Sequence, residues 1–324
     1  MTTPSAMHDI RMPQRYTGWR WGQISLYALL HVSALFAPLH FTWSGLILMV
    51  VLLWACGGLG ISLGWHRLNT HGSFKTSPTL RAILTALGCC SWQGGPMEWV
   101  GTHRRHHAHT DDVTLDPHTP RAGFFWAHAE WMFYNLPYNP YALTKDLQRH
   151  ASLVWLEHWW WTCAWGLVVV LYLTGQAAGG LGLSWVLWAG SVRSVVLLHA
   201  TWFVNSAAHT WGYRNFETRD DSKNNAWVAW FSFGEGWHNN HHAQPRSAAH
   251  GMVAHELDVT YLTIKLLARL GLVWDVVRPV LPTRRGLDPA ATSVATTAAS
   301  GGAKQSSVSE AMQAGAVHHS PSER

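Results

Sequence analysis

Four stretches of the chain, residues 23–40, 45–64, 158–177 and 181–204, are apolar and close to the ~20 residues that cross a bilayer as a helix. They fall into two pairs, joined by "PLHFTWS" and "TGQAAGG", and neither connection carries Lys or Arg. The residues before the first stretch hold three such cations, residues 65–157 hold eight and those after 205 hold eleven. Positive residues stay on the cytoplasmic side, so both termini and the long middle segment are expected there. The expected fold class is therefore an all-α integral membrane protein with four transmembrane helices. Residues 1–20 read as a cytoplasmic segment, 21–283 as the membrane domain, and 284–324, rich in Ala, Ser, Thr and Gly, as a disordered tail.

Composition agrees. Charged residues make up only 13% of the chain and there are 22 tryptophans, a residue that favours the headgroup region. The net charge of +5 comes without a basic run or a nucleic-acid motif, so no nucleic-acid partner is expected. The N-terminus has no apolar core ending in a cleavage site, so no removable signal peptide is expected. The stretch "TLRAILTALGCCSW" (79–92) is too short to span and contains Arg81, which predicts an interfacial or re-entrant helix. Arg193, inside the fourth stretch, is expected to face the bundle interior. Cys56, Cys89, Cys90 and Cys163 form no C-x-x-C pair and read as buried thiols.

The chemistry sits in the histidines of the cytoplasmic side. "HRLNTH" supplies His66 and His71, "HRRHH" supplies His103, His106 and His107, "NSAAH" supplies His209, and "HNNHH" supplies His238, His241 and His242. In H-x-x-H-H, positions i, i+3 and i+4 share one helix face, so each such triplet can converge. On an α-helix His66 and His71 lie about 140° apart, which predicts two centres or a helix ending near Asn69. Nine imidazoles are too many for one metal and suffice for two, each with four or five. Imidazole suits Zn, Cu, Fe and Ni alike. His31, His40, His158 and His199 read as polar interfacial residues, and His318 and His319 as solvated tail residues. His109, His118, His128, His250 and His255 read as structural or supporting. Asn205, one helical turn before His209, can reach a metal directly or through water.

The runs "GWHRLNTH", "HRRHHAHTDDVTLDPHTPRAGFFWAH", "ATWFVNSAAHTWG" and "GEGWHNNHH" resemble the membrane fatty acyl desaturases, in particular the Δ9, stearoyl-CoA desaturase-like branch. The resemblance covers about residues 20–280. It implies four spans and a cytoplasmic helical cap holding two irons, with the nine histidines as ligands and Asn205 reaching one iron through water. It also implies that O2 and two electrons are consumed to place a cis double bond in a saturated acyl chain. Redox-inert zinc cannot activate O2, whereas iron can. Asp112, Asp116 and Glu235 are expected to orient the ligands. Trp99 and Trp202 match positions near the bend of the family's substrate channel. Trp54, twelve residues before His66 and about 18 Å down a helix, is expected to close that channel.

One departure bears on the substrate. The acyl-CoA branch has a basic residue two positions before the first histidine of "HRRHH"; here it is Gly101. This leaves acyl-CoA and acyl-lipid both open, with Arg121 as a cation for a phosphate-bearing headgroup. No haem, nucleotide or iron–sulfur motif is fused to the chain, so a separate donor of ferredoxin, rubredoxin or cytochrome b5 type is expected. The expected location is a bacterial inner membrane or an endoplasmic reticulum, with the active site cytoplasmic. The competing readings are a membrane di-iron acyl or alkane hydroxylase and a histidine-rich metal transporter, the latter disfavoured by the few polar residues in the spans.

Overall fold

In the computed structural model, residues 17–281 are described; residues 1–16 and 282–324, with the expected tail and its His318 and His319, lie outside that range. Helix α1 (Trp21–Leu35) leads through a short turn to α2 (Trp43–Leu53), capped by Thr42, whose Oγ1 accepts the N–H of Gly45 at 3.0 Å. From Trp54 to Thr70 the same helix continues with wider, π-type turns. Next come α3 (Pro78–Cys89) and α4 (Pro96–His109), each with proline in its first turn, where a missing N–H costs nothing. After α5 (Phe124–His128) and several single turns, α6 (Ala151–Ala177) is bent at Trp159. A short α7 (Gly182–Trp185) runs through one wide-turned stretch into α8 (Arg193–Thr210). The segment closes with α9 (Ala226–Phe231), α10 (His238–Ala243) and α11 (Val259–Arg269). Two antiparallel strand pairs, Thr17–Trp19 with Tyr134–Asn135 and Lys75–Thr76 with Val273–Trp274, tie distant segments together.

Among the described residues, two helices are long and apolar enough to cross a membrane: Trp43–Thr70 and Gly182–Thr210. They contain the second and fourth apolar stretches and extend past them toward the histidines. Of the other two stretches, residues 23–40 form the 15-residue α1 and a following turn, and 158–177 form the later part of α6. The stretch 79–92 forms α3, 12 residues or about 18 Å long, packed along the wide-turned helix.

Glycines set that packing. A Cβ on Gly60 would lie 2.4 Å from the backbone nitrogen of Gly88, and one on Gly88 would lie 2.2 Å from Nε1 of Trp65. Backbones therefore touch where side chains would keep them apart, as at small-residue helix contacts in membranes. Arg193 is buried and donates to the carbonyls of Ala189 (2.8 Å) and Cys90 (2.9 Å), joining α8 to the end of α3. Of the four free cysteines, Cys56 and Cys89 are buried and the other two half-buried.

The glycine contact is testable. Gly60→Ala forces a Cβ into the backbone of α3 and should cost ~1–3 kcal/mol, read as a lower melting temperature of the purified protein. Gly166→Ala, with nothing within 4 Å of its Cβ, should leave that temperature unchanged or raised.

Candidate metal centre

Nine histidine side chains from four chain segments meet in two adjacent groups. His66, His71, His103, His107 and His241 form one; His106, His209, His238 and His242 form the other. In each group one ring nitrogen per residue lies within 4.8 Å of all the rest. Helix α4 sends His103 and His107 to the first group and His106 to the second. Helix α10 sends His241 to the first and His238 and His242 to the second. Each H-x-x-H-H helix thus serves both groups and fixes their spacing.

His66 and His71 share one group, and the wide turns are the reason. The N–H of His71 donates to the carbonyl of His66 at 3.2 Å, an i→i+5 bond that closes a π turn. That turn stacks residues five apart, which an α-helix would splay. The helix ends at Thr70, one residue beyond Asn69.

Four of the outer nitrogens are held by carboxylates. Nδ1 of His66 meets Glu235 Oε2 at 2.5 Å, and Nδ1 of His106 meets Asp116 Oδ2 at 2.9 Å. Nδ1 of His242 meets Asp220 Oδ2 at 3.1 Å, and Nδ1 of His209 lies 3.3 Å from Asp111 Oδ2. Carboxylates on the far nitrogen fix the tautomer and turn the near nitrogen inward. Asp116 and Glu235 were candidates from sequence; Asp111 and Asp220 were not. Asp112 instead accepts the backbone N–H groups of Thr114 (2.7 Å) and Leu115 (3.0 Å) at the surface. Asp111 takes a positive φ of 62°, which swings it inward where its neighbour stays out, and sequence gives no sign of that choice.

Glu235 is itself anchored. Its Oε1 accepts from Nη2 of Arg67 at 3.0 Å and from Ser62, while Nη1 of Arg67 donates to Asp258 at 2.9 Å. Arg67 is fully buried, so it needs both acids. A tenth histidine, His250, lies in the same network, with Nδ1 3.2 Å from Glu235 and its ring 4.4 Å from that of His241. The turn into α10 needs its glycines. Gly234 has φ +108°, and a Cβ on Gly236 would lie 2.1 Å from the backbone nitrogen of Ala229. Asn239 and Asn240 are buried and face away from the groups. Asn239 accepts the N–H groups of Asn215 and Phe216, both at 2.9 Å, and Asn240 donates to Glu256 at 2.7 Å.

The donor set fits metal ions. Burial holds His71, His103, His107, His238, His241 and His242 well below the usual histidine pKa, so they are neutral near pH 7. Burial also lowers His106, but the charge and hydrogen bond of Asp116 outweigh it and leave the group raised. Nε2 of His241 lies 3.1 Å from that of His66 and 2.9 Å from that of His107, which is 3.0 Å from that of His103. Ring nitrogens that turn their lone pairs inward cannot hydrogen-bond to one another across such contacts. A cation between them satisfies all at once.

Two cavities meet at the centre. The first is lined by Arg20, Gln23, Glu98 and Trp131 at one end; the second by Gly57, Ile61, Leu197 and Phe233. They share Trp99, His103, Thr201 and Asn205, so the two cavities adjoin beside the first histidine group. The junction of the two cavities is braced by hydrogen bonds: Trp99 Nε1 donates to Gln93 Oε1 at 3.2 Å, and Gln93 Nε2 donates to Thr201 at 3.0 Å. Trp202 lines the polar arm. Gln93 and Thr201 escaped notice in the sequence, where neither stands in a histidine run. Trp54 lines neither cavity and is 40% exposed; its ring stands beside Gly58, next to Phe233, which lines the apolar end. Arg121 also lines neither, and its Nε donates to Asp221 at 2.7 Å. Gly101 packs so tightly on α4 that a Cβ would lie 2.2 Å from the carbonyl oxygen of Pro140, so no basic side chain fits there.

Known proteins were compared with this chain. A family model described as fatty acid desaturase matches residues 41–258. The sn-2 palmitoyl-lipid 9-desaturase of Nostoc sp. (strain 36) is 42% identical over 265 residues, 80% of this chain and 90% of that protein. The sn-1 stearoyl-lipid 9-desaturase of Anabaena variabilis is 42% identical over 260 residues, 79% of this chain and 93% of the relative. An acyl-CoA C20 Delta5-desaturase of Anemone leveillei is 37% identical over 270 residues, 80% and 84% of the two chains. By this match and these relatives, the chain, with its nine gathered histidines, belongs to the fatty acid desaturase family.

Proposed function

We propose that this protein is an O2-dependent Δ9 desaturase of acyl-lipids, with two irons held by the nine histidines. The observation that carries the reading is the five-plus-four division of the histidines beside two adjoining cavities, which we read as one bent passage for an acyl chain. Two irons there would supply the oxidising power to take one hydrogen from each of two adjacent methylenes, with O2 and two external electrons and two protons yielding two waters. The chain's own residues do the rest. Thr201, Gln93 and Trp99 hold the bend, which presents one C–C bond of a long chain to the histidines. Phe233 stops the methyl end, with Trp54 behind it. Asn205, lining both cavities and one helical turn before His209, is suited to hold a water for the four-histidine metal.

The carrier is read as acyl-lipid. Gly101 leaves no room for the cation that an acyl-CoA would meet, Arg121 is engaged by Asp221, and two of the relatives are named lipid 9-desaturases. The polar mouth instead carries Arg20 bridged to Glu98 at 2.7 Å, beside Gln23. Hydroxylation would use the same metals, but the relatives named above are desaturases.

The membrane arrangement belongs to the same proposal. The apolar helices Trp43–Thr70 and Gly182–Thr210 cross fully, and α1 and α6 complete four spans with outward faces such as Leu29, Val32 and Leu35, and Trp165, Val169 and Leu173. Both termini and the metal centre then face the cytoplasm, where a ferredoxin, rubredoxin or cytochrome b5 type donor delivers electrons.

Four outcomes test this reading. Cells expressing the protein with a competent donor should accumulate lipids with a cis double bond at carbon 9, read by mass spectrometry; hydroxylated lipids, or no new species, would refute it. In those cells Phe233→Ala should move products toward longer chains, and Trp54→Ala should do so less. Asp116→Asn and Glu235→Gln should each weaken iron binding ~10–100-fold, read as metal content after dialysis against a chelator. A cysteine in place of Leu39 should react with an impermeant maleimide in intact cells, and one in place of Arg246 should not.

A further inference from the structure

We propose that α11 and the chain after it bind the headgroup of an anionic phospholipid at the cytoplasmic face of the bilayer. The proposal rests on the membrane orientation given above. Helix α11 has three longitudinal rows. Thr260 and Ile264 are buried, and Ile264 packs with Leu63, Leu84 and Val273 in a cluster that Leu59 also joins. Leu59 and Leu63 belong to the apolar helix Trp43–Thr70, so α11 lies at the level where that helix leaves the membrane.

On the opposite side, Leu262, Leu266 and Leu270 are 47%, 55% and 63% exposed. Spaced four apart, they make one stripe, extended by exposed Leu272 and Trp274. A contiguous apolar surface of this kind marks a contact with a partner or a membrane. Between the stripe and the buried row run Lys265 and Arg269. Arg278 faces them across a groove that Tyr261, Ala268 and Val276 also line. Nζ of Lys265 lies 5.1 Å from the centre of the Tyr261 ring. Among the described residues, none of the three cations has an acidic partner. The nearby Asp275 is engaged by Lys75 at 2.9 Å.

Three cations without acids recognise a phosphate-bearing anion, and the leucines beside them choose its source. An interfacial helix buries its apolar row among acyl chains while long cationic side chains lie along the headgroups. An acidic protein would meet the cations but leave the leucines in water. An anionic lipid satisfies both.

The test uses the full chain in phosphatidylcholine nanodiscs, with dioctanoyl phosphatidylglycerol added and bound lipid counted by native mass spectrometry. At about 1 kcal/mol per cation, K265Q/R269Q/R278Q should weaken phosphatidylglycerol retention roughly 100-fold. The control K145Q/R149Q/R246Q, cations outside the groove, should match wild type. L262S/L266S/L270S should also lose retention, and millimolar glycerol 3-phosphate should not displace the lipid. Equal retention by the two cation triples overturns the site. Displacement by glycerol 3-phosphate overturns the lipid assignment. Capture of an acidic ferredoxin that depends on the three cations, with lipid retention unchanged by their loss, overturns it in favour of a protein partner. Orientation and site fail separately, because maleimide labelling reads the first and lipid retention the second.

Discussion

The centre depends on turning nine ring nitrogens toward two points, and buried carboxylates do much of that turning. A neutral imidazole presents either nitrogen equally well until its other nitrogen is claimed. Glu235, Asp116, Asp220 and Asp111 claim the outer nitrogens of His66, His106, His242 and His209. Each carboxylate is costly to bury and is held by donors of its own. Glu235 has Arg67 and Ser62, Asp116 has the backbone N–H of Asp111 at 2.8 Å, and Asp111 has that of Asp221 at 2.6 Å. The support reaches well beyond the histidines, through Arg67 to Asp258 and the N-terminus of α11, where Asp258 accepts the N–H of Tyr261 at 2.8 Å.

That arrangement also accounts for the order of the chain. The two H-x-x-H-H helices each feed both histidine groups, so neither group can close before α10 arrives. The apolar helices deliver His66, His71 and His209 at their ends, which binds the centre to the membrane-facing part of the fold. The apolar cavity is lined from those same helices, with Leu197 packed against Gly57.

The nine histidines were legible in sequence because their spacing encodes helix faces, and that pattern survives without coordinates. The pairing of His66 with His71 was not, because π-type turns change the angular spacing and carry no motif. Nor could sequence choose between Asp111 and Asp112, which differ by a positive backbone angle. Gln93, Thr201 and Phe233 carry no motif, and only their meeting at the passage distinguishes them. Gly101 read as the absence of a cation; the close carbonyl of Pro140 adds that no cation can stand there. Of the four apolar stretches, the second and fourth form long apolar helices, while the first forms a shorter helix and the third lies in a Trp-rich helix bent at Trp159.

The central claim is that the histidines hold two irons in unlike nitrogen-rich settings, one with five imidazoles and one with four. Mössbauer spectroscopy of protein loaded with iron-57 tests it most directly. Two iron sites of equal area and different quadrupole splitting, at two irons per active chain, are the result this account predicts. A single iron environment, or full activity with one iron per chain, would contradict it.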